Sequence, residues 1–178
     1  MAALWRHARG VAMVEFALTL PVILLLYLGG VQLQDGIACN RKVTIAARAA
    51  ADLISQNLTG TTTKAEISGD LTAAGQVLLP FTADKAQIRV TELYTDTNLK
   101  TTVQWSQGLN TTGRVPGSSP SVPASLQVRN TYFLMAEVTY AYTPPTSFGS
   151  IGALTLGDRI YMVPRNTDQI KCSDCSPS

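Results

Sequence analysis

The sequence is short of the residues that do chemistry. Its one histidine is His7, close to the N-terminus, so no imidazole is available along the rest of the chain to act as a general base. No phosphate-cradling glycine loop, no H-E-x-x-H pair and no G-x-S-x-G elbow occurs, and no two carboxylates have a reason to be adjacent. Catalysis is therefore not expected, and no small-molecule substrate or cofactor is implied. An excess of one charge is missing too: 14 Lys and Arg stand against 12 Asp and Glu, which does not argue for a nucleic-acid surface. Cysteine is limited to Cys39, Cys172 and Cys175. A zinc site would need two ligands beyond the Cys172–Cys175 pair, and the histidine lies far from it in sequence. A redox Cys-x-x-Cys wants a strand-to-helix setting, which the polar ending KCSDCSPS does not supply. The pair therefore reads as a structural disulfide in an oxidising compartment, or as free thiols, and Cys39 has no evident role.

What the chain has in place of a catalytic signature is one long apolar run. Residues 11–33 carry no formal charge except Glu15. At 1.5 Å per residue, twenty-three helical residues reach about 34 Å, enough to cross the hydrocarbon core of a bilayer. A lone carboxylate in lipid costs roughly 2.5–3.5 kcal/mol even on the lenient insertion scale, so Glu15 calls for a partner or a task. The bland alternative is a glutamate near a helix start, favoured by the macrodipole. Pro21 lies inside the run and leaves one carbonyl without its helical donor, a gap that neighbouring helices absorb. Gly29 and Gly30 permit close helix approach but lack the small-xxx-small spacing.

With 178 residues and 46% hydrophobic content, the chain has room for one membrane anchor and one small domain. Beyond the anchor, Ile37, Ile45, Ala46, Ala49, Ala50, Leu53, Ile54 and Leu58 recur at a helical spacing, which predicts an amphipathic extension over 34–60 with Asn57 and Gly60 as stop residues. A second short helix is expected from Lys64 to Leu79, with Ile67, Leu71, Ala74 and Leu78 on one face and Pro80 ending it. QIRVTELY and TTVQWS alternate as strands around the turn-prone TDTNLK, and YFLMAEVTYAY, broken by Pro144 and Pro145, is the best strand, followed by DRIYMV. Tyr132, Tyr140, Tyr142 and Tyr161 are expected to fill or edge the sheet. The stretch from Leu109 to Ser125 reads as an exposed loop. The expected fold class is α+β: a long N-terminal helix, transmembrane in its first half and amphipathic in its second, then a small antiparallel sheet domain with a second short helix over residues 61–178.

Two rival processing signals compete at the N-terminus. A secretory signal peptide would have a shorter apolar core and a small-residue cut site, whereas GGVQLQDGIA carries Gln32, Gln34 and Asp35 and no A-x-A. GIAC, ending at Cys39, resembles a lipoprotein box, but Gly36 stands where leucine is usual and Asp35 interrupts the approach. Two N-x-T tripeptides, at Asn57 and Asn110, match glycosylation sequons at chance level.

The segment RGVAMVEFALTLPVILLL has a different layout: basic Arg6, His7 and Arg9, then Gly10, then the apolar run with glutamate five residues on. This resembles a type IV prepilin leader, and phenylalanine after the glutamate with proline at Pro21 resembles the TadE-like minor pseudopilins of tight-adherence (Flp-type) pilus systems. Near the other end, AEVTYAYTPPTSFGSIGALTLGDRIYMVPR is similar to that family's tail: a Val- and Tyr-rich strand, Thr-Pro, a variable loop, and a last strand closing in Pro-Arg, here Val163-Pro164-Arg165 in place of Arg-Pro-Arg. The resemblance implies a leader over residues 1–10, cleavage by a prepilin peptidase between Gly10 and Val11, and a role for Glu15 in recognition or in pairing with the new ammonium on Val11. It implies as partners the peptidase, other minor pseudopilins, the major Flp-type pilin and the inner-membrane assembly platform. Loss of Arg6 and Arg9 with the leader would leave the side chains at 12 basic against 12 acidic. Basic residues flank the anchor evenly on both sides, so orientation rests on the resemblance, which puts the C-terminal domain in the periplasm of a bacterium, beyond a single inner-membrane pass. The alternative is an uncleaved or lipid-anchored envelope protein with a small periplasmic binding domain.

Overall fold

The computed structural model describes residues 2–144 and 152–175. The variable loop expected after Pro144, including Pro145, lies outside the described residues, as do the side chains of Arg6, His7 and Arg9. The described elements are α1 (Ala2–Ser55), β1 (Thr61–Thr62), α2 (Lys64–Gln76), β2 (Ala86–Thr95), β3 (Thr101–Leu109), β4 (Thr131–Tyr142), β5 (Leu154–Met162) and β6 (Lys171–Cys172). The class is α+β as expected. Two compact units divide the chain between Ala38 and Cys39, the second taking in residues 39–142 and the chain from Leu154 onward.

In the first unit α1 is bare over residues 11–27, and further along it Gln32 is buried. Residues 11–27 are exposed throughout, among them Met13 at 78% and Leu26 at 72%. α1 is the one helix among the described residues long and apolar enough to cross a membrane. From Cys39 the same helix enters the core of the second unit through Cys39, Val43, Ala46, Ala47, Ala50, Ala51 and Ile54. The amphipathic extension is therefore present, but its buried face is rotated from the expected one. Ala46, Ala50 and Ile54 face inward, whereas Ile37, Ile45, Leu53 and Leu58 are exposed. The reason is shape: a stripe of small alanines lets the helix sit close to the sheet, and the bulk is supplied from the strands by Ile88, Val90, Leu134, Tyr140 and Tyr142.

The end of α1 is held by the last part of the chain. The Arg165 amide donates to the Ser55 carbonyl at 3.0 Å, Asn166 Nδ2 donates to the Gln56 carbonyl at 3.0 Å, and the Arg165 guanidinium pairs with Asp52. The Pro-Arg pair thus supplies donors to carbonyls that a helix C-terminus leaves open, with a cation where the macrodipole favours one. Asn57 then accepts from the amides of Thr59 and Gly60 through its side chain, and Gly60 turns the chain at φ +69°. Both expected stop residues serve as such.

α2 opens with a capping box. Glu66 N donates to Thr63 Oγ1 at 3.3 Å while Thr63 N donates to Glu66 Oε2 at 2.9 Å. Ile67, Leu71, Ala74 and Leu78 are buried as their spacing requires. The main sheet is antiparallel in the order β3-β2-β4-β5. Even-numbered residues of β4, from Leu134 to Tyr142, join the helices in the principal core, and Phe133 and Met135 point the other way. That second face is not left to solvent. Val122 and Leu126 come down on Phe133, Met135, Leu93 and Val103 to make a smaller core, so the stretch from Leu109 to Ser125 is not the wholly exposed loop its composition suggests. A two-residue parallel pairing, β1 with β6, ties the tail beside α2; strands this short carry no alternation to read.

Candidate functional site

Gly10, Val11 and Glu15 all lie on the exposed part of α1. Four residues separate Val11 from Glu15, so the carboxylate sits about one turn, roughly 6 Å along the axis, from the Val11 nitrogen and on the same side. A Cβ added at Gly10 would meet nothing within 4 Å, so packing does not explain the glycine. Its effect in mid-helix is on the backbone, which it loosens by about 1 kcal/mol relative to alanine. Thr19 Oγ1 donates to the carbonyls of Glu15 and Phe16 at 3.0 and 3.2 Å, just ahead of Pro21, whose missing amide leaves a carbonyl open one turn back. The arrangement is a bare apolar cylinder bearing one acid near a weak point in the helix, and it has the parts of an anchor and an assembly contact.

Residues 10–52 match the family model described as TadE-like protein. The N-terminal segment is TadE-like. The match begins at Gly10 and takes in Val11, Glu15, Pro21 and Asp52. The family is one of pilus structural and assembly proteins, and the match over residues 10–52 associates the chain with a Tad pilus and with a membrane. No curated protein and no solved structure matches the chain.

Cys172 and Cys175 are joined in a disulfide with their Cα atoms 5.5 Å apart, so their sulfurs are committed to each other. Cys39 is fully buried on α1 within the core of the second unit.

Two groups of charged side chains in the chain's second unit escape sequence reasoning. Glu137 on β4 stands in register between Arg89 on β2 and Arg159 on β5. Arg114, from the segment after β3, joins them, and all three guanidiniums lie 2.7–3.2 Å from its carboxylate. Burial by itself would raise the Glu137 carboxyl; the Arg114 hydrogen bonds and the charges of Arg114, Arg89 and Arg159 outweigh it and hold the group below the usual range. Arg89 also reaches the Thr112 carbonyl, and Arg159 the Ser121 carbonyl, each at 3.4 Å. The cluster staples the 110–125 segment to the sheet.

The second group is Glu92 on β2, fully buried on the helix side of the sheet where the β2–β3 register slips. Its Oε1 accepts the Ile170 amide at 2.7 Å, while Trp105 Nε1 donates to the Ile170 carbonyl at 2.6 Å. Burial pushes its carboxyl up to about 7, against the opposing pull of the Ile170 amide and the Trp105 indole. A glutamate inside an alternating strand gave the only hint. Nothing in the sequence shows that Ile170, 78 residues away, is what it holds.

Proposed function

We propose that this chain is a minor pseudopilin of a Tad/Flp-type adhesive pilus, cut by a prepilin peptidase between Gly10 and Val11 and acting in pilus assembly or initiation. Residues 11–33 span the bacterial inner membrane once, and the domain from residue 61 onward lies in the periplasm, where the Cys172–Cys175 disulfide is at home. The observation that carries the reading is the bare stretch of helix bearing a single acid one turn beyond Val11, within the segment that matches the TadE-like model. After cleavage Val11 presents an ammonium at membrane depth, and Glu15 of the same or a neighbouring subunit supplies its countercharge, since neither charge is tolerable there alone. The glycine lowers the cost of unwinding the helix for the peptidase. Its partners are the peptidase, fellow minor pseudopilins, the major pilin and the inner-membrane platform.

The lipid-anchored alternative requires Cys39 to become an acylated N-terminus, and the buried place of that sulfur in the domain core weighs against it. Intact mass of the membrane-extracted protein separates the two, because the cuts fall 28 residues apart in the sequence. A mature chain beginning at Val11 is expected, with Gly10→Leu accumulating at full length in cells that carry the matching peptidase. Unchanged processing of that variant would sink the assignment.

A further inference from the structure

The chain from Ile170 to Cys175 is fastened across the domain at several points. The Lys171 amide donates to the Gly60 carbonyl at 2.8 Å, and Asp174 Oδ1 accepts the Lys64 amide at the start of α2, also at 2.8 Å. Ile170 and Cys175 are buried, at 0% and 1% exposure. The innermost fastening is the Ile170 peptide, gripped from both sides by Glu92 and Trp105. That grip depends on a group that titrates. Glu92 Oε1 is occupied, but Oε2 is buried with no hydrogen-bond partner, and none of the ion pairs among the described residues includes Glu92. The residues opposite it on the neighbouring strands are Trp105 on β3 and Leu134 on β4. Tyr132 on β4 and Tyr94 on β2 are the nearby titratable groups, both phenols; the charged tail residues beside Ile170, Asp168 and Lys171, are exposed.

We propose that the tail from Ile170 to Cys175 is a proton-gated strap, held shut while Glu92 carries a proton and released from the Trp105 side of the sheet when Glu92 ionises. A neutral acid leaves its second oxygen poorly satisfied at modest cost, whereas a carboxylate in the same place pays for desolvation without a partner. Opening lets water reach the carboxylate and returns it to its ordinary behaviour near 4.5, against about 7 when shut. Closing therefore takes up a proton. The opening constant rises about tenfold per pH unit between those two values and levels off above the higher one. Opening also parts β6 from β1, freeing a strand edge next to α2.

Amide hydrogen exchange on the purified full-length chain in detergent, corrected for the intrinsic pH dependence of exchange, tests this directly. Protection of the Ile170 and Lys171 amides is expected to fall about tenfold per unit from pH 5 to 7, while the β4 amides around Leu134 keep theirs. Glu92→Gln, which keeps an acceptor for Ile170 but cannot ionise, is expected to show no such slope. Constant protection at Ile170 in the wild type, an equal loss at β4, or an unaltered slope in Glu92→Gln would each overturn the proposal. Should the variant fail to fold, the comparison of Ile170 with β4 in the wild type decides by itself.

Discussion

At the scale of single residues, Glu137 shows how a charge can organise a surface without serving chemistry. One carboxylate, its side chain 11% exposed, answers three guanidiniums exposed at 27%, 27% and 42%. Exposure of the arginines dilutes each pair, but the carboxylate is common to all of them, and its removal leaves three like charges converging. Glu137→Gln is expected to destabilise the domain by about 2 kcal/mol, read from urea unfolding at pH 7. The sign of the pH effect follows from the lowered carboxyl. As pH falls, the unfolded chain takes up the proton first, so the contribution is present above the ordinary value of 4.5 and is lost below it. The wild type should lose stability through that acid range more steeply than Glu137→Gln. Equal acid limbs in the two proteins would show that the arginines hold the loop without help from the charge.

At the scale of elements, the helices end on contacts made by distant chain. α2 is capped locally by Thr63 and Glu66 and from afar by Asp174. The local cap is worth about 1 kcal/mol in the usual range for such residues. Thr63→Ala should therefore lower the unfolding midpoint of the domain by that amount while leaving β-sheet signal in circular dichroism unchanged. An effect near zero would mean that Asp174 already satisfies the helix start. At its end α1 has a local bond from Ser55 Oγ to the Asp52 carbonyl at 2.9 Å, and Arg165 and Asn166 add contacts from afar. The Pro-Arg pair after β5 thereby acquires a physical job, holding the end of the helix whose exposed stretch is long and apolar enough to cross a membrane.

At the scale of the whole molecule, the chain divides its labour between a helical stretch exposed along its length, residues 11–27, and a domain with its own core. The exposed apolar surface of residues 11–27 is far more than a water-soluble monomer usually leaves open, in keeping with a helix long and apolar enough to cross a membrane. On the proposed reading Glu15 matters only in that assembly. Glu15→Gln is expected to insert in the membrane as well as the wild type, since a neutral amide is cheaper to bury, and to be processed normally. Its co-purification with partner pilins should fall several-fold as the Val11 ammonium loses its countercharge. Wild-type recovery of partners, with normal pilus formation, would reduce Glu15 to a helix-start residue.

The sequence by itself determined the elements whose signals are local. The long apolar run marked the helix able to cross a membrane, Asn57 and Gly60 marked the turn that follows its end at Ser55, and the alternation in β2, β3 and β4 marked the strands, because each depends on neighbours a few positions away. The candidate residues Gly10, Val11 and Glu15 rest on spacing along one helix and on the resemblance to a prepilin leader, and their roles stay proposals. Only the tertiary structure decided which stripe of α1 faces the core, since that depends on which residues let helix and sheet approach and not on which are most apolar. It also decided that the Gly-, Ser- and Pro-rich stretch after β3 covers a second core, through single anchors at Val122 and Leu126 too sparse to form a pattern. The Glu137 cluster and the grip of Glu92 on Ile170 join residues 22 to 78 positions apart. Contacts at that range leave no periodicity in the chain, because their geometry exists only after the sheet has formed.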